Sequence, residues 1–203
     1  MIEKWPGRSR SHAGQLAWAV LLVVFLLALL PIMGLAADGD KARFSVLEAS
    51  TRLVSEVYLL DARIAFDFSP EALEALDNGV PLTVELQIEV LETSDLLWDG
   101  TVATLSQRDS IEYRALADLY LVTNLNTGEL SSHTNLGAAL AMLGRVENFP
   151  MLDRRLLRVG SSYSARLRAR LDVESLPLPL RPMAYLSSRW GLTSDWHEWP
   201  LTP

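Results

Sequence analysis

The chain has no cysteine in its 203 residues. Disulfide staples, thiol nucleophiles and thiolate metal sites are therefore excluded. Histidine is almost as scarce, and beyond residue 37 only His133 and His197 remain. Two isolated imidazoles give zinc or copper little to bind. No Gly-x-Ser-x-Gly elbow presents a serine, and Gly34 and Gly39 do not form a dinucleotide or phosphate-binding turn. Asp38-Gly39-Asp40 is the only compact acidic pair beside a glycine, and it falls short of the spacing of a calcium loop. The expectation is a protein without cofactor or metal, and not an enzyme.

What the chain does have is a run of twenty uncharged residues, Leu16 to Leu35, preceded by Lys4, Arg8 and Arg10. A basic n-region ahead of an apolar stretch is an export signal, yet about 20 apolar residues also suffice to cross a bilayer core. Pro31 and the small residues of Gly34-Leu35-Ala36 favour cleavage, while the length favours an anchor. Residues 1–37 are thus read as a signal peptide or signal anchor, and 38–203 as one domain delivered to the periplasmic side. Without residues 1–37 the chain keeps 15 Lys and Arg against 24 Asp and Glu, a net charge of −9. Nucleic acid is a poor partner for that field, because binding it requires basic side chains that displace phosphate counterions. A length of 166 residues suffices to bury a core without covalent help.

The patterning predicts strands. From Val80 to Glu92, Leu82, Val84, Leu86, Ile88 and Val90 alternate with polar residues, and Tyr163 to Val173 repeats the scheme with Arg166, Arg168 and Arg170 on its polar face. Shorter strands are expected at Arg43–Leu53, Val57–Phe68, Thr101–Gln107, Ser110–Ala117 and Leu119–Leu125, seven in all. One helix is punctuated by Ser69 as N-cap, Pro70 at the first position and Gly79 beyond its end. A second is expected over Thr134–Leu143 with Gly144 as its stop. Residues 176–203 form a Pro/Trp-rich tail in which Leu176-Pro177-Leu178-Pro179-Leu180 is expected to run extended, because proline cannot donate ladder bonds. The architecture predicted is mainly β: an antiparallel β-sandwich, immunoglobulin-like in architecture, with two short helical insertions, following an N-terminal hydrophobic export helix.

Phe68-Ser69-Pro70 with Ala72-Leu73, Gly79-Val80-Pro81-Leu82, Tyr113, Leu116 and Tyr120, Arg168 with Leu171-Asp172, Leu176 to Arg181, and Trp190-Gly191-Leu192 with Ser194-Asp195-Trp196 together resemble domain-of-unknown-function family 4390. The resemblance spans the exported part and implies an envelope protein of proteobacteria, encoded beside a sensor histidine kinase. It implies no catalytic residue.

Six residues stand out as contacts for a ligand or partner: Arg166, Arg168, Arg170, Trp190, Trp196 and Trp199. Three guanidinium groups along one strand face could hold an anion, or they could pair with Glu85 and Glu89 of the other long strand in a solvated ladder. The tryptophans could stack on a glycan or close the end of the sandwich. His133 beside Ser131 and Ser132 is read as lead-in to a helix, and Ser194, Asp195 and His197 are too close in sequence to converge as a triad. The function expected is a non-catalytic protein-interaction module facing the periplasm, partnering another envelope or inner-membrane protein such as a sensor histidine kinase, with membrane contact through residues 16–35 if they are retained. A periplasmic lipid or glycan carrier is the alternative, and a hydrolase the third reading.

Overall fold

The computed structural model describes residues 43–93 and 100–202. The apolar run 16–35, the Asp38–Asp40 stretch and Asp99 lie outside these residues. Among the described residues no helix is long and apolar enough to cross a membrane.

Two antiparallel sheets pack face to face. The smaller has the order β1-β2-β7, from β1 (Phe44–Val54), β2 (Val57–Phe66) and β7 (Arg145–Asp153). The larger has the order β6-β5-β4-β3-β8-β9, from β3 (Leu82–Thr93), β4 (Gly100–Arg114), β5 (Leu119–Asn124), β6 (Leu130–His133), β8 (Ser162–Leu171) and β9 (His197–Leu201). β1 crosses over β8 and β9. The layer between is filled by the alternating residues of the three most apolar strands: Leu60, Ile64 and Phe66 of β2, Leu82 to Val90 of β3, and Ala165, Leu167 and Ala169 of β8 are all buried. Phe44, Phe66 and Phe68 close one end of this core through edge-on contacts, with ring centroids 4.8 and 5.2 Å from Phe44.

The helices act as lids. α1 (Pro70–Asp77) is capped by Ser69, whose hydroxyl accepts from the Ala72 amide, and buries Ala72 and Leu76. α2 (Leu136–Leu143) buries Ala139 and Leu143 against the β4–β6 end of the large sheet. Gly144 after it is required sterically, since a Cβ there would lie 2.0 Å from the Ile64 carbonyl oxygen; the Ile64 amide in turn donates to the Gly144 carbonyl at 2.8 Å.

Several expectations need correction. Thr101–Gln107 and Ser110–Ala117 are one continuous strand, β4, because Arg108 and Asp109 stay in register with Glu85 and Val84 of β3. β6, β7 and β9 are strands beyond the seven expected, with little alternation to mark them: β6 has only four residues, and β7 and β9 each contain a proline. Ser131-Ser132-His133 belongs to β6 rather than to a helix lead-in, and α2 begins at Leu136 with Asn135 as its cap, two residues later than expected. The tail does not run extended; Leu176 is buried, and the chain turns into a third helix, α3 (Arg181–Leu186). Its proline at the second helical position lacks only an N–H that a first turn leaves unpaired anyway.

Candidate functional site

The outer face of β3 and β8 holds the arginine stripe. The register sets Glu89 opposite Arg166, Gln87 opposite Arg168 and Glu85 opposite Arg170. Arg166 Nε donates to Glu89 at 2.8 Å, Arg168 Nη2 to the Gln87 side-chain carbonyl at 2.5 Å, and Arg170 Nε to Glu85 at 2.6 Å. Trp196, just before β9, adds to this arrangement: the guanidinium carbons of both Arg166 and Arg168 stand 4.5 Å from its ring centroid. All three arginines therefore donate to β3, and Arg166 and Arg168 also stand over Trp196, geometry that suits guanidinium better than ammonium.

The other two tryptophans point elsewhere. Trp190 is buried in the core. Trp199 is half-buried, and its indole N–H reaches the Thr51 hydroxyl of β1 at 3.3 Å, tying the two sheets together. Among the six sequence-selected residues, only Arg166, Arg168, Arg170 and Trp196 thus share one surface. Ser194 accepts from the Ala169 amide and donates to the Asp195 carbonyl, while Asp195 pairs with Arg43. Ser194, Asp195 and His197 form no relay.

A second site lies on the inner face at the opposite end of the large sheet. No residue of β1 or β2 lines the space inside β5 and β6, which is bounded by α2 and by β7, the edge strand of the three-stranded sheet. A cavity of about 510 Å³ remains there, lined by Gln107 and Asp109 of β4, Asn124 of β5, Ser131 of β6, Met142 of α2, and Glu147 and Phe149 of β7 among others. Asp109 occupies a position where its register partner on β3 is the fully buried Val84. Its carboxylate accepts from Gln107 Nε2 at 2.8 Å. Burial raises its pKa above the ordinary carboxylate range, against the lowering effect of hydrogen bonds from Gln107 and Asn124. Ser131 and His133 project from the same face of β6, with Oγ and Nε2 3.0 Å apart. Sequence reasoning missed Asp109 because strand alternation read across β4 breaks at Gln107 and Asp109; that same break, two polar residues at inward positions, was the available signal.

Among the described residues no three His, Asp or Glu side chains are placed to share a metal ion. The two sites differ in chemistry: one is an arginine stripe partnered by two carboxylates and a glutamine with Trp196 over two of its members, and the other a half-polar cleft with a carboxyl group whose pKa burial raises.

Residues 41–200 match the family model described as Domain of unknown function (DUF4390). No curated protein and no solved structure matches the chain.

Proposed function

We propose that this chain, which belongs to the DUF4390 family, is a non-catalytic interaction module on the periplasmic side of the envelope of a proteobacterium. Its N-terminal segment delivers it there as a signal peptide or stays as an inner-membrane anchor, and its partner is another envelope protein, with a membrane sensor such as a histidine kinase as first candidate. The immunoglobulin-like architecture belongs to the same proposal.

The observation that carries the reading is β1. It is an eleven-residue strand without proline, paired with β2 along its length and with no other strand among the described residues. An open edge of that length can accept an extended segment of another protein through main-chain hydrogen bonds. The other edges are weaker templates, since β6 has four residues while β7 and β9 contain Pro150 and Pro200. Leu47, at the bulge of β1, and Val54, at its end, are exposed apolar positions beside that edge.

Crosslinking followed by affinity purification from solubilised envelopes tests this. Leu47→Lys combined with Val54→Lys, which places charges at the edge, should abolish capture of the partner while leaving the thermal midpoint within a few degrees. Undiminished capture by that variant would overturn β1 as the surface. The glycan carrier is the second reading, favoured by the half-polar cleft at Asp109. Saturable binding of a peptidoglycan fragment that is lost in Asp109→Ala would favour it over the module.

A further inference from the structure

The strongest unassigned surface is the end of the sandwich that carries α3. Leu178, Met183, Tyr185 and Leu186 are 73, 63, 63 and 90% exposed, and Pro177, Pro179 and Pro182 between them are exposed as well. Singly exposed apolar side chains are ordinary, but a contiguous set marks a surface that meets something apolar. The charge pattern changes at the same place. Residues 175–194 contain two arginines and no acidic residue in a domain that is otherwise strongly acidic. Arg181 is turned inward, its Nε donating to the Leu176 carbonyl, and Arg189 pairs with Glu71 of α1. Neither competes with the apolar side chains for the outer surface.

Chain connectivity indicates what covers this surface. Arg43, the first described residue, pairs with Asp195, and Phe44 packs on Phe66 and Phe68 just before α1. The chain therefore enters the domain at the end occupied by α1 and α3. Only seven residues, 36–42, separate Arg43 from the uncharged run ending at Leu35, a reach of at most about 25 Å when fully extended. If that run lies in a bilayer, this end of the domain is held close to the membrane surface, while β1 leads away from it.

We propose that the Pro177–Leu186 segment rests on the headgroup region of a phospholipid bilayer, with Leu178, Met183 and Leu186 entering it. The proposal depends on residues 16–35 staying in the membrane, as in the anchored form of the proposed function. The attraction is apolar, because Glu71, Asp172, Glu174 and Asp195 at this end would repel an anionic surface; docking should thus persist on a zwitterionic bilayer and in high salt.

The absence of cysteine makes the test direct, since any introduced thiol is the only one in the chain. The full chain, made by cell-free synthesis so that no peptidase removes its N-terminus, is assembled into phosphatidylcholine nanodiscs with a polarity-sensitive dye on Leu186→Cys. A second preparation carries the dye on Val159→Cys, 99% exposed at the opposite end. The expected result is co-elution with the discs, blue-shifted emission at position 186 and water-like emission at 159, with the shift lost when Leu178→Asp and Met183→Asp are added. Co-elution with water-like emission at both positions leaves the anchor standing and overturns the docking. A chain that elutes apart from the discs overturns the anchor and the docking together.

Discussion

The two halves of the six-stranded sheet use the same backbone for different ends. Around β3 and β8 both faces are settled: the inner residues are buried in the core they share with β2, and the outer arginines are paired with Glu85, Gln87 and Glu89, with Trp196 over Arg166 and Arg168. Around β4, β5 and β6 the cover consists of α2 and of β7, the edge strand of the small sheet, a cavity of about 510 Å³ remains, and inward positions hold Gln107, Asp109 and Asn124. Where a second sheet covers the first, apolar alternation is enforced residue by residue. Where only its edge strand reaches, polar residues can face inward, and a site can form.

The comparison is broken most severely at its covered half. Leu167 is fully buried at the centre of β8, and Leu167→Ala should cost about 4 kcal/mol from lost burial and an uncollapsed cavity. Leu105→Ala, at an inward position of β4 that is only partly buried, should cost about half as much. Urea unfolding of both variants checks this, and equal losses would show that the two halves are equally packed. Gly144→Ala follows at about 3 kcal/mol, because the new methyl meets the fixed Ile64 carbonyl of β2 rather than a side chain that could swing away.

Much of the covered half was legible in the sequence. Strand alternation located β3 and β8 to within two residues, and Ser69, Pro70 and Gly79 marked α1, because those signals are local: period two, a cap and a stop. The face-sharing of Glu85 and Glu89 with the arginines could be anticipated from the same period. The placement of Trp196 against Arg166 and Arg168 could not, since it depends on β9 pairing with β8 across an excursion of more than twenty residues that contains α3. The open half was less legible for a physical reason. Its strands are short, interrupted by Pro150 or carry inward polar residues, so periodicity, the main sequence signal, is weakest where the cleft is formed.

Two aspartates sharpen the contrast through pH. Asp109, raised by burial, holds more protons in the native state than in the unfolded chain across the range from the ordinary carboxylate pKa up to its own folded value; stability must therefore fall as pH rises through that window. Asp172, at the end of β8, is also opposed by burial, but the Ser175 hydroxyl, the charge and hydrogen bond of Arg108 at 2.6 Å, and the Glu174 amide prevail and lower it. Its contribution is present above the ordinary carboxylate pKa and is lost as pH falls through its folded value. Asp109→Asn should flatten the decline on the less acidic side, since the amide oxygen can still accept from Gln107, and Asp172→Asn should flatten the rise on the acidic side. Thermal midpoints measured across mildly acidic pH distinguish them, and unchanged slopes in both variants would show that neither carboxyl titrates as its surroundings require.

The smallest effect belongs to the outer face, and it separates two kinds of arginine on one strand. Arg170 pairs with Glu85 at an exposed position, where the gain from the ion pair is offset by side-chain ordering and solvent screening, so Arg170→Ala should change stability by no more than about 0.5 kcal/mol. Arg168 makes a neutral hydrogen bond to Gln87 instead of an ion pair, yet it lies against Trp196, and Arg168→Ala should cost about 1 kcal/mol through the lost cation–π contact and packing. The double-mutant cycle with Trp196→Phe decides the matter, because a smaller ring keeps the apolar cover but weakens the attraction. Coupling to Arg168 that exceeds the coupling to Arg170, and that survives high salt, identifies Trp196 as what fixes the stripe; equal coupling for both would mean that the stripe is held by its carboxylates, and that Trp196 is free to be taken by a ligand.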